Sequence, residues 1–194
     1  MGPRKITDVI GIVKAYTTRV GMGPFPTELL DEIGDRLQVK GAEFGSTTGR
    51  RRRCGWLDAV ILKNAVRLNG VTGLAITKLD VLDGLESLSI CTHYEYQGRR
   101  MDVFPASLKV LAESRPVYET LPGWTETISG IKSFNRLPRS AKIYLRRIEE
   151  LTGVPIDIIS VGPDRDQTIV LKNPYIRKSA RPKAKARPSR AGRR

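Results

Sequence analysis

Short apolar runs alternate with segments of helical periodicity over most of the chain. Residues 9–16 are nearly all apolar and rich in β-branched side chains, a pattern that predicts a strand covered on both faces. Apolar residues at helical spacing then predict an amphipathic helix that begins with Thr27 as its N-cap and ends before Gly41. The same spacing over residues 56–68 predicts a second helix, which Gly70 would close.

The second half of the chain continues this alternation. The pattern predicts a buried strand (74–77), an alternating strand (87–96) that turns at 98–100 into a further strand (101–104), a helix (140–151), a buried strand (156–160) and a last strand (168–171). No internal repeat is visible. Strands that alternate with helices favour an α/β fold, part of a large mixed or parallel sheet with helices on its faces.

Composition agrees with a globular protein but leaves its charge to be explained. The 194 residues suggest one domain or two, and 40% hydrophobic with 28% charged residues is typical of a chain with a core. The 34 Lys and Arg exceed the 20 Asp and Glu, which gives a net charge of +14. Residues 177–194 hold nine of these cations and no acidic residue, so we expect a domain over 1–176 and a basic, disordered tail.

Several classes of function are excluded by what the sequence lacks. Cys54 and Cys91 lie far apart without metal-ligand spacing, which argues against a disulfide framework or a zinc site and favours a reducing compartment. No apolar stretch is long enough to span a membrane and no apolar signal region follows Met1, so we expect a cytoplasmic protein without membrane contact. His93, the only histidine, lies within a predicted strand and is interpreted as structural, and no catalytic or metal-binding residue is expected in this chain.

The most informative polar segment follows the predicted strand 74–77. There Lys78, Leu79 and Asp80 leave the carboxyl end of the strand, where ligands collect in open α/β sheets. One Asp carboxylate can accept hydrogen bonds from both the ring N–H and the exocyclic amine of guanine, and the stem of a nearby Lys can lie along the base. The alternative is an ordinary solvated turn, and the tetrapeptide alone does not decide between the two.

Two further segments carry candidate chemistry. The loop over residues 46–53 combines hydroxyls and a glycine with four consecutive arginines, Arg50 to Arg53, which suits a carboxylate or phosphate ligand. A solvated or nucleic-acid-facing basic patch is the alternative. The turn Ser160, Val161 and Gly162 follows another buried strand and is uninformative by itself.

Taken together and in this order, these segments resemble the C-terminal half of the adenylosuccinate synthetase family. The matching stretches are 13–21 (VKAYTTRVG), 23–28 (GPFPTE), 43–45 (EFG), 47–50 (TTGR), 77–84 (TKLDVLDG), 121–124 (LPGW) and 158–163 (IISVGP). The resemblance covers roughly residues 5–176. It implies the C-terminal portion of that family's P-loop-NTPase-like fold, a cytoplasmic homodimer, and a ligase of purine (AMP) biosynthesis.

The resemblance also implies a reaction and a set of site residues. GTP, with Mg²⁺, phosphorylates the 6-oxygen of IMP, and L-aspartate displaces the phosphate to give adenylosuccinate, GDP and phosphate. Aspartate would be bound by the loop formed by Ser46, Thr47, Thr48, Gly49, Arg50, Arg51 and Arg52. IMP would contact Arg50 and Val20, and GTP would contact Arg52, Lys78, Leu79, Asp80, Ser160, Val161 and Gly162.

One departure from the family pattern decides what this chain can do alone. No G-x-x-x-x-G-K motif followed by Ser or Thr is present, and the family's glycine-rich phosphate loop, catalytic Asp and catalytic His have no counterpart. These groups hold Mg²⁺ and the GTP phosphates, so the chain is expected to be inactive alone.

Three hypotheses follow from the sequence. The chain is part of a purine-synthesising ligase, or a recruited remnant that binds nucleic acid nonspecifically through its basic tail, or a nonfunctional fragment whose exposed sheet edge favours aggregation. Salt-dependent nucleic-acid binding that is lost on deletion of residues 177–194 would identify the second.

Overall fold

The computed structural model describes residues 6–47 and 49–173; Thr48 and the predicted tail 177–194 lie outside them. The strands are β1 (Ile10–Lys14), β2 (Thr17–Arg19), β3 (Arg53–Gly55), β4 (Leu57–Asp58), β5 (Gly73–Thr77), β6 (Leu85–Tyr96), β7 (Arg99–Met101), β8 (Arg115–Trp124), β9 (Ile156–Ser160) and β10 (Thr168–Val170). The helices are α1 (Glu32–Lys40), α2 (Ala59–Asn69), α3 (Leu108–Glu113) and α4 (Arg139–Thr152), with 3₁₀ helices at Leu79–Leu82 and Phe134–Arg136.

The described strands form three sheets. The first has the order β1-β5-β9-β10, in which the first three strands are parallel and β10 is antiparallel. In the second, β6 pairs with β4, β7 and β8, and β2 pairs with β3 as a small separate ribbon. These mixed sheets packed with helices confirm the predicted α/β class.

One large hydrophobic core joins the first sheet, β6 and β8 to α1, α2 and α4. Tyr144 and Leu145 of α4 are almost fully buried in it, together with Ile76 of β5 and Leu88 of β6. Tyr144 donates a hydrogen bond to the carbonyl oxygen of Ala15 at 2.6 Å, which ties α4 to the segment after β1. The core thereby fixes the ends of β1 and β5 relative to each other.

The start of α1 differs from the prediction. Asp31, and not Thr27, is the N-cap, since its carboxylate accepts hydrogen bonds from the peptide N–H groups of Ile33 and Gly34. Thr27 is fully buried, and its carbonyl oxygen accepts from the peptide N–H of Trp56. The residues before Asp31 form a turn, in which the Glu28 N–H donates to the Phe25 carbonyl, and a bridge from Glu28 to Gly55. Tertiary pairing thus outweighs their helical spacing.

The second predicted helix is confirmed with a later start. Asp58 caps α2 by accepting from the N–H groups of Val60 and Ile61, and Gly70 ends the helix in the left-handed conformation as expected. The predicted hairpin is also present, with other bounds: Gln97 and Gly98 both have positive φ, as a two-residue turn between β6 and β7 requires. Arg99 and Arg100, predicted in the turn, belong to β7, so the predicted return strand 101–104 was placed too late.

Two features of the sheets were not predicted. β8, where the sequence pattern predicted no strand, pairs with β6 alone among the described strands, so its two prolines, Pro116 and Pro122, are tolerated in an edge strand. β1 is an edge strand of its sheet, and Ile12 at its centre is 79% exposed. The prediction of a strand covered on both faces was therefore wrong for β1.

Candidate functional site

Two of the three polar segments lie side by side at the carboxyl ends of two neighbouring strands of the first sheet. β5 and β9 run parallel, with Ile76 paired to Ile159 one residue before each strand ends. Neighbouring parallel strands have their carboxyl ends on the same side of the sheet. The segment that begins at Lys78 and the turn after Ser160 therefore lie next to each other. The fold thus brings together two segments that are far apart in the chain.

The segment after β5 is anchored by its middle residue. Lys78 has a φ of 58°, in the left-handed region, and a 3₁₀ helix follows it directly. Leu79 is fully buried, whereas Lys78 and Asp80 on either side of it are half-buried. The Asp80 carboxylate makes no hydrogen bond with any other residue in the described part of the chain, so both of its oxygens can accept from a ligand.

The turn after β9 is closely packed. The Ser160 hydroxyl donates to the carbonyl oxygen of Gly162 at 2.9 Å, and the N–H of Val161 donates to the carbonyl oxygen of Gln167 at 2.9 Å. Val161 is fully buried, so its side chain belongs to the core. A Cβ on Gly162 would lie 2.1 Å from the Gln167 Oε1, so this position requires glycine unless Gln167 moves.

The arginine-rich loop is exposed along most of its length. Ser46, Thr47, Gly49, Arg50 and Arg51 all have exposed side chains or backbone, whereas Arg52 is partly buried. The loop closes on itself through two 2.8 Å hydrogen bonds, from the Gly45 N–H to the Arg50 carbonyl and from the Gly49 N–H to the Gly45 carbonyl. Its hydroxyls and guanidinium groups are therefore presented to solvent by a closed loop, as a binding loop requires.

A buried carboxylate connects this loop to the ends of β1 and β5. Glu43 is fully buried, and it accepts hydrogen bonds from the Nζ of Lys14 at 2.8 Å and from the Nη1 of Arg52 at 3.0 Å. The Tyr16 hydroxyl donates to it at 2.6 Å, and the Nζ of Lys78 lies 3.8 Å away. We call these five residues the Glu43 cluster.

The charge state of the Glu43 cluster follows from these contacts. Burial alone raises the pKa of Glu43, but the hydrogen bonds from Lys14, Tyr16 and Arg52 outweigh it and hold this pKa below its ordinary value. Burial, followed by the hydrogen bond to Glu43, raises the pKa of Tyr16, which therefore remains a neutral donor. Three cations surround a single ionised carboxylate, so the cluster keeps excess positive charge beside the loop.

The Glu43 cluster ties the arginine loop to the segment after β5. Glu43 orients Arg52 through a charge-assisted hydrogen bond, and Lys78 reaches across the same region to donate to the carbonyl oxygen of Gly41. Sequence reasoning missed this role for Glu43, Lys14 and Tyr16. The only signal was that all three lie within stretches that match the family.

A second buried carboxylate explains two other matching stretches. Asp83 accepts from the Nε1 of Trp124 at 2.6 Å and from the N–H of Ile128 at 3.1 Å, and burial raises its pKa. The carbonyl oxygen of Asp83 accepts from Arg36 and Lys40 of α1, both at 2.8 Å. Asp83 thus fastens α1 and the end of β8 to the 3₁₀ helix that carries Asp80.

Two other residues singled out from the sequence, Arg53 and Val20, have different environments. Arg53 is structural: it forms a bidentate ion pair with Glu28, donates to the carbonyl oxygens of Gly21 and Gly23, and lies over the Phe25 ring. Val20 is 72% exposed and is thus accessible to a ligand.

His93 is part of β6, where its Nδ1 lies 2.9 Å from the Thr92 hydroxyl. Within residues 6–47 and 49–173, no group of three or more His, Cys, Asp and Glu side chains could hold a metal ion. The described helices include none that is both long enough and apolar enough to cross a membrane.

Comparisons with known proteins relate the chain to one family. The sequence profile of the family described as adenylosuccinate synthetase matches residues 1–169. The chain is 67% identical over 175 residues to an adenylosuccinate synthetase of Desulfatibacillum aliphaticivorans, a match that covers 90% of this chain and 41% of the relative. The corresponding protein of Moorella thermoacetica is 61% identical with the same coverage.

A solved structure gives the same result at the level of the fold. The structure titled as a fully ligated adenylosuccinate synthetase from Plasmodium falciparum superposes with a TM-score of 0.85 and 42% sequence identity. The match covers 88% of this chain and 41% of that one. The chain therefore spans about 41% of the length of these relatives.

Proposed function

This chain belongs to the adenylosuccinate synthetase family, and we propose that it supplies the aspartate-, IMP- and guanine-binding segments of a GTP-dependent ligase. The assembled enzyme would join IMP and L-aspartate to give adenylosuccinate, GDP and phosphate. The observation that carries the proposal is that the Lys78–Asp80 segment and the Ser160 turn lie together at the carboxyl ends of β5 and β9. Glu43 links the arginine loop to this place through its contacts with Arg52 and Lys78.

Guanine would bind at the ends of β5 and β9. The Asp80 carboxylate, which has no protein hydrogen bond in the described residues, would accept from the ring N–H and the exocyclic amine of the base. Adenine lacks this pair of donors, so Asp80 would discriminate between the two purines. The stem of Lys78 and the backbone of the Ser160–Gly162 turn would flank the base, while the buried side chains of Leu79 and Val161 hold these segments in place.

Aspartate and IMP would bind at the arginine loop. Thr47, Arg50 and Arg52 offer hydroxyl and guanidinium donors that suit the carboxylates of aspartate, and Thr48, outside the described residues, would belong to the same loop. Val20 and Arg50 would contact IMP. Because Glu43 holds one nitrogen of Arg52, the remaining donors of this guanidinium can be directed to an anionic ligand.

The family's chemistry also requires groups that these residues do not supply. Magnesium binds through carboxylate oxygens, and the described residues hold no cluster that fits it. We therefore assign no step of phosphoryl transfer to this chain, and we propose that the Mg²⁺ and GTP-phosphate ligands belong to the part of the family's chain that this sequence does not match. Dimer formation, as implied for the family, would involve the assembled enzyme.

Titration calorimetry with GDP tests the guanine assignment. We expect weak binding to the chain, because the proposed base contacts would act without the phosphate contacts. Asp80→Asn should weaken the affinity about tenfold or more, since it removes a charged bidentate acceptor. Asp102→Asn, at an exposed carboxylate of the β7 hairpin, is the matched control and should bind like the unmodified chain. Equal affinities of the Asp80→Asn variant and the unmodified chain would refute the role of Asp80.

A further inference from the structure

The basic residues after residue 176 have no role in the proposed ligase. Residues 177–194, which we call the basic tail, hold nine Lys and Arg and no Asp or Glu. They lie beyond residues 1–169, the part of the chain that matches the family profile. Nine of the fourteen net positive charges are therefore concentrated in a segment that the binding of GTP, IMP and aspartate does not explain.

The last strand leads the chain away from the proposed guanine site. β10 runs antiparallel to β9, with Thr168 beside Ser160 at the carboxyl end of β9. After β10, the N–H groups of Leu171 and Lys172 donate to the carbonyl oxygen of Asp157, at 2.8 and 3.1 Å. The chain therefore leaves the sheet beside the amino end of β9, whereas the proposed guanine site lies at the carboxyl end of the same strand.

The carboxylates close to the amino end of β9 already have partners. Asp157 is buried, and its carboxylate lies 3.8 Å from the Nζ of Lys172. Glu149 of α4 accepts a hydrogen bond at 2.7 Å from the first N–H of β9, and Glu150 forms a 2.8 Å ion pair with Arg147. Without the basic tail the chain still has a net charge of +5, which is +14 less the nine tail cations. The rest of the chain thus provides little free negative charge near the start of the basic tail.

The arginine loop, the other concentration of cations, is partly neutralised. Arg52 donates to Glu43, and Arg53 forms a bidentate ion pair with Glu28. Two of the four consecutive arginines are therefore engaged with carboxylates of the fold, and the loop as a whole is assigned to small anionic ligands. The basic tail is the part of the chain whose charge calls for a larger anionic partner.

We propose that the basic tail binds the phosphate backbone of nucleic acid without preference for base sequence, and that this binding is separate from the ligase function. Each Lys or Arg that contacts a phosphate releases a condensed counterion, and a polyanion allows many such contacts at once. An anionic membrane suits the basic tail less well, because the tail contains no Val, Ile, Leu, Met, Phe, Tyr or Trp to enter the lipid boundary. Since the chain leaves the sheet at the end opposite the guanine site, nucleic acid and GDP should bind at the same time.

The salt dependence of binding tests this inference on the full 194-residue chain. Fluorescence anisotropy of a short labelled poly(U) RNA measures the association constant at several salt concentrations. We expect the logarithm of this constant to fall linearly with the logarithm of the salt concentration. The slope should reach at most about −6, because each phosphate contact of a single strand contributes about −0.7 and the tail holds nine cations. Deletion of residues 177–194 should lower the affinity at low salt about a hundredfold or more.

Two quadruple variants with the same change in net charge separate the basic tail from the charge of the whole chain. The tail variant replaces four central cations by glutamine, and its slope should become less steep by about 3 units. Its substitutions are Arg181→Gln, Lys183→Gln, Lys185→Gln and Arg187→Gln. The matched control replaces four exposed cations of the described residues, and its slope should equal that of the unmodified chain. Its substitutions are Arg99→Gln, Lys109→Gln, Arg115→Gln and Arg146→Gln.

Several results would overturn the proposal. Circular dichroism should first show that every variant is folded. Equal binding of poly(U) by the unmodified chain and the deletion variant would show that the tail is not the binding segment, and equal changes of slope in the two quadruple variants would point to overall charge instead. Tighter binding to phosphatidylserine vesicles than to poly(U) would identify a membrane as the partner. Displacement of poly(U) by GDP would place both ligands at one site. None of these results decides the GDP titration of the Asp80→Asn variant, so the two proposals can fail separately.

Discussion

The Tyr16 hydroxyl donates a 2.6 Å hydrogen bond to the Glu43 carboxylate, and both side chains are almost completely buried. The same carboxylate is held by Lys14 and Arg52 and lies near Lys78. A neutral donor and three cations thus converge on one negative charge. We therefore expect the stability of this region to depend on that charge more than on any one of its partners.

Replacement of Glu43 by Gln removes the charge and keeps the shape. We expect Glu43→Gln to lower the free energy of unfolding by about 2–4 kcal/mol, because the neutral amide leaves partly buried cations without their counter-charge. Tyr16→Phe removes a single hydrogen bond and should cost about 1–2 kcal/mol. Urea denaturation measures both, and a Glu43→Gln variant as stable as the unmodified chain would contradict this account.

The same carboxylate should make stability depend on pH in a defined direction. The pKa of Glu43 is lowered in the folded chain below its ordinary value of 4.5, so the unfolded state binds the proton more readily. The stabilisation is complete above the unfolded pKa and is lost as the pH falls through the lower, folded pKa. We therefore expect the stability difference between the unmodified chain and Glu43→Gln to be constant above about pH 6 and to shrink below pH 4.5. A difference that stayed constant down to pH 3 would argue against an ionised Glu43.

The turn after β9 allows a test of close packing. Gly162→Ala should destabilise the chain by about 1–2 kcal/mol, because the new methyl group meets the side-chain amide of Gln167. Gln167→Ala removes this obstacle, so the double variant should be no less stable than Gln167→Ala alone. Double-mutant analysis of urea melts measures the coupling, and strictly additive losses would show that the contact does not restrict Gly162.

The chain alone should not form adenylosuccinate. It carries the proposed base- and substrate-binding segments, but it lacks the glycine-rich phosphate loop and the catalytic groups that stabilise phosphoryl transfer. The absorbance change on adenylosuccinate formation, followed with GTP, IMP, aspartate and Mg²⁺, should match that of a protein-free control. Turnover by the purified 194-residue chain would refute this prediction.

The pattern of apolar residues was sufficient to predict elements whose bounds depend on local interactions. The helix α2 has apolar residues at regular spacing, and Gly70 ends it as the sequence predicts. At α1, two residues of N-cap type compete, Thr27 and Asp31. Asp31 is the N-cap because the backbone of Thr27 is hydrogen-bonded to Trp56, a contact that the local spacing of apolar residues does not reveal.

The candidate site shows the same division. Lys78, Asp80 and the arginine loop could be singled out as candidates, because the residues that follow a strand or fill a loop form recognisable short motifs, and their binding roles stay a prediction. The role of Glu43 could not, because it depends on contacts with Lys14 and Arg52 that exist only after the strands have assembled. The exposure of Ile12 could not be predicted either, since a central strand and an uncovered edge strand can have the same apolar sequence pattern.

The two cysteines lie in different hydrophobic clusters, Cys54 in the large core and Cys91 in a smaller one with Val60, Tyr94 and Leu111. Burial raises the pKa of Cys54 to about 11 and that of Cys91 to about 12, so neither thiol reacts readily while its cluster is closed. The reactivity of each thiol therefore reports on the opening of one part of the molecule. The rate at which a thiol reagent modifies Cys54 reports how often the region around Glu43 opens, and the rate at Cys91 reports the same for the sheet built on β6.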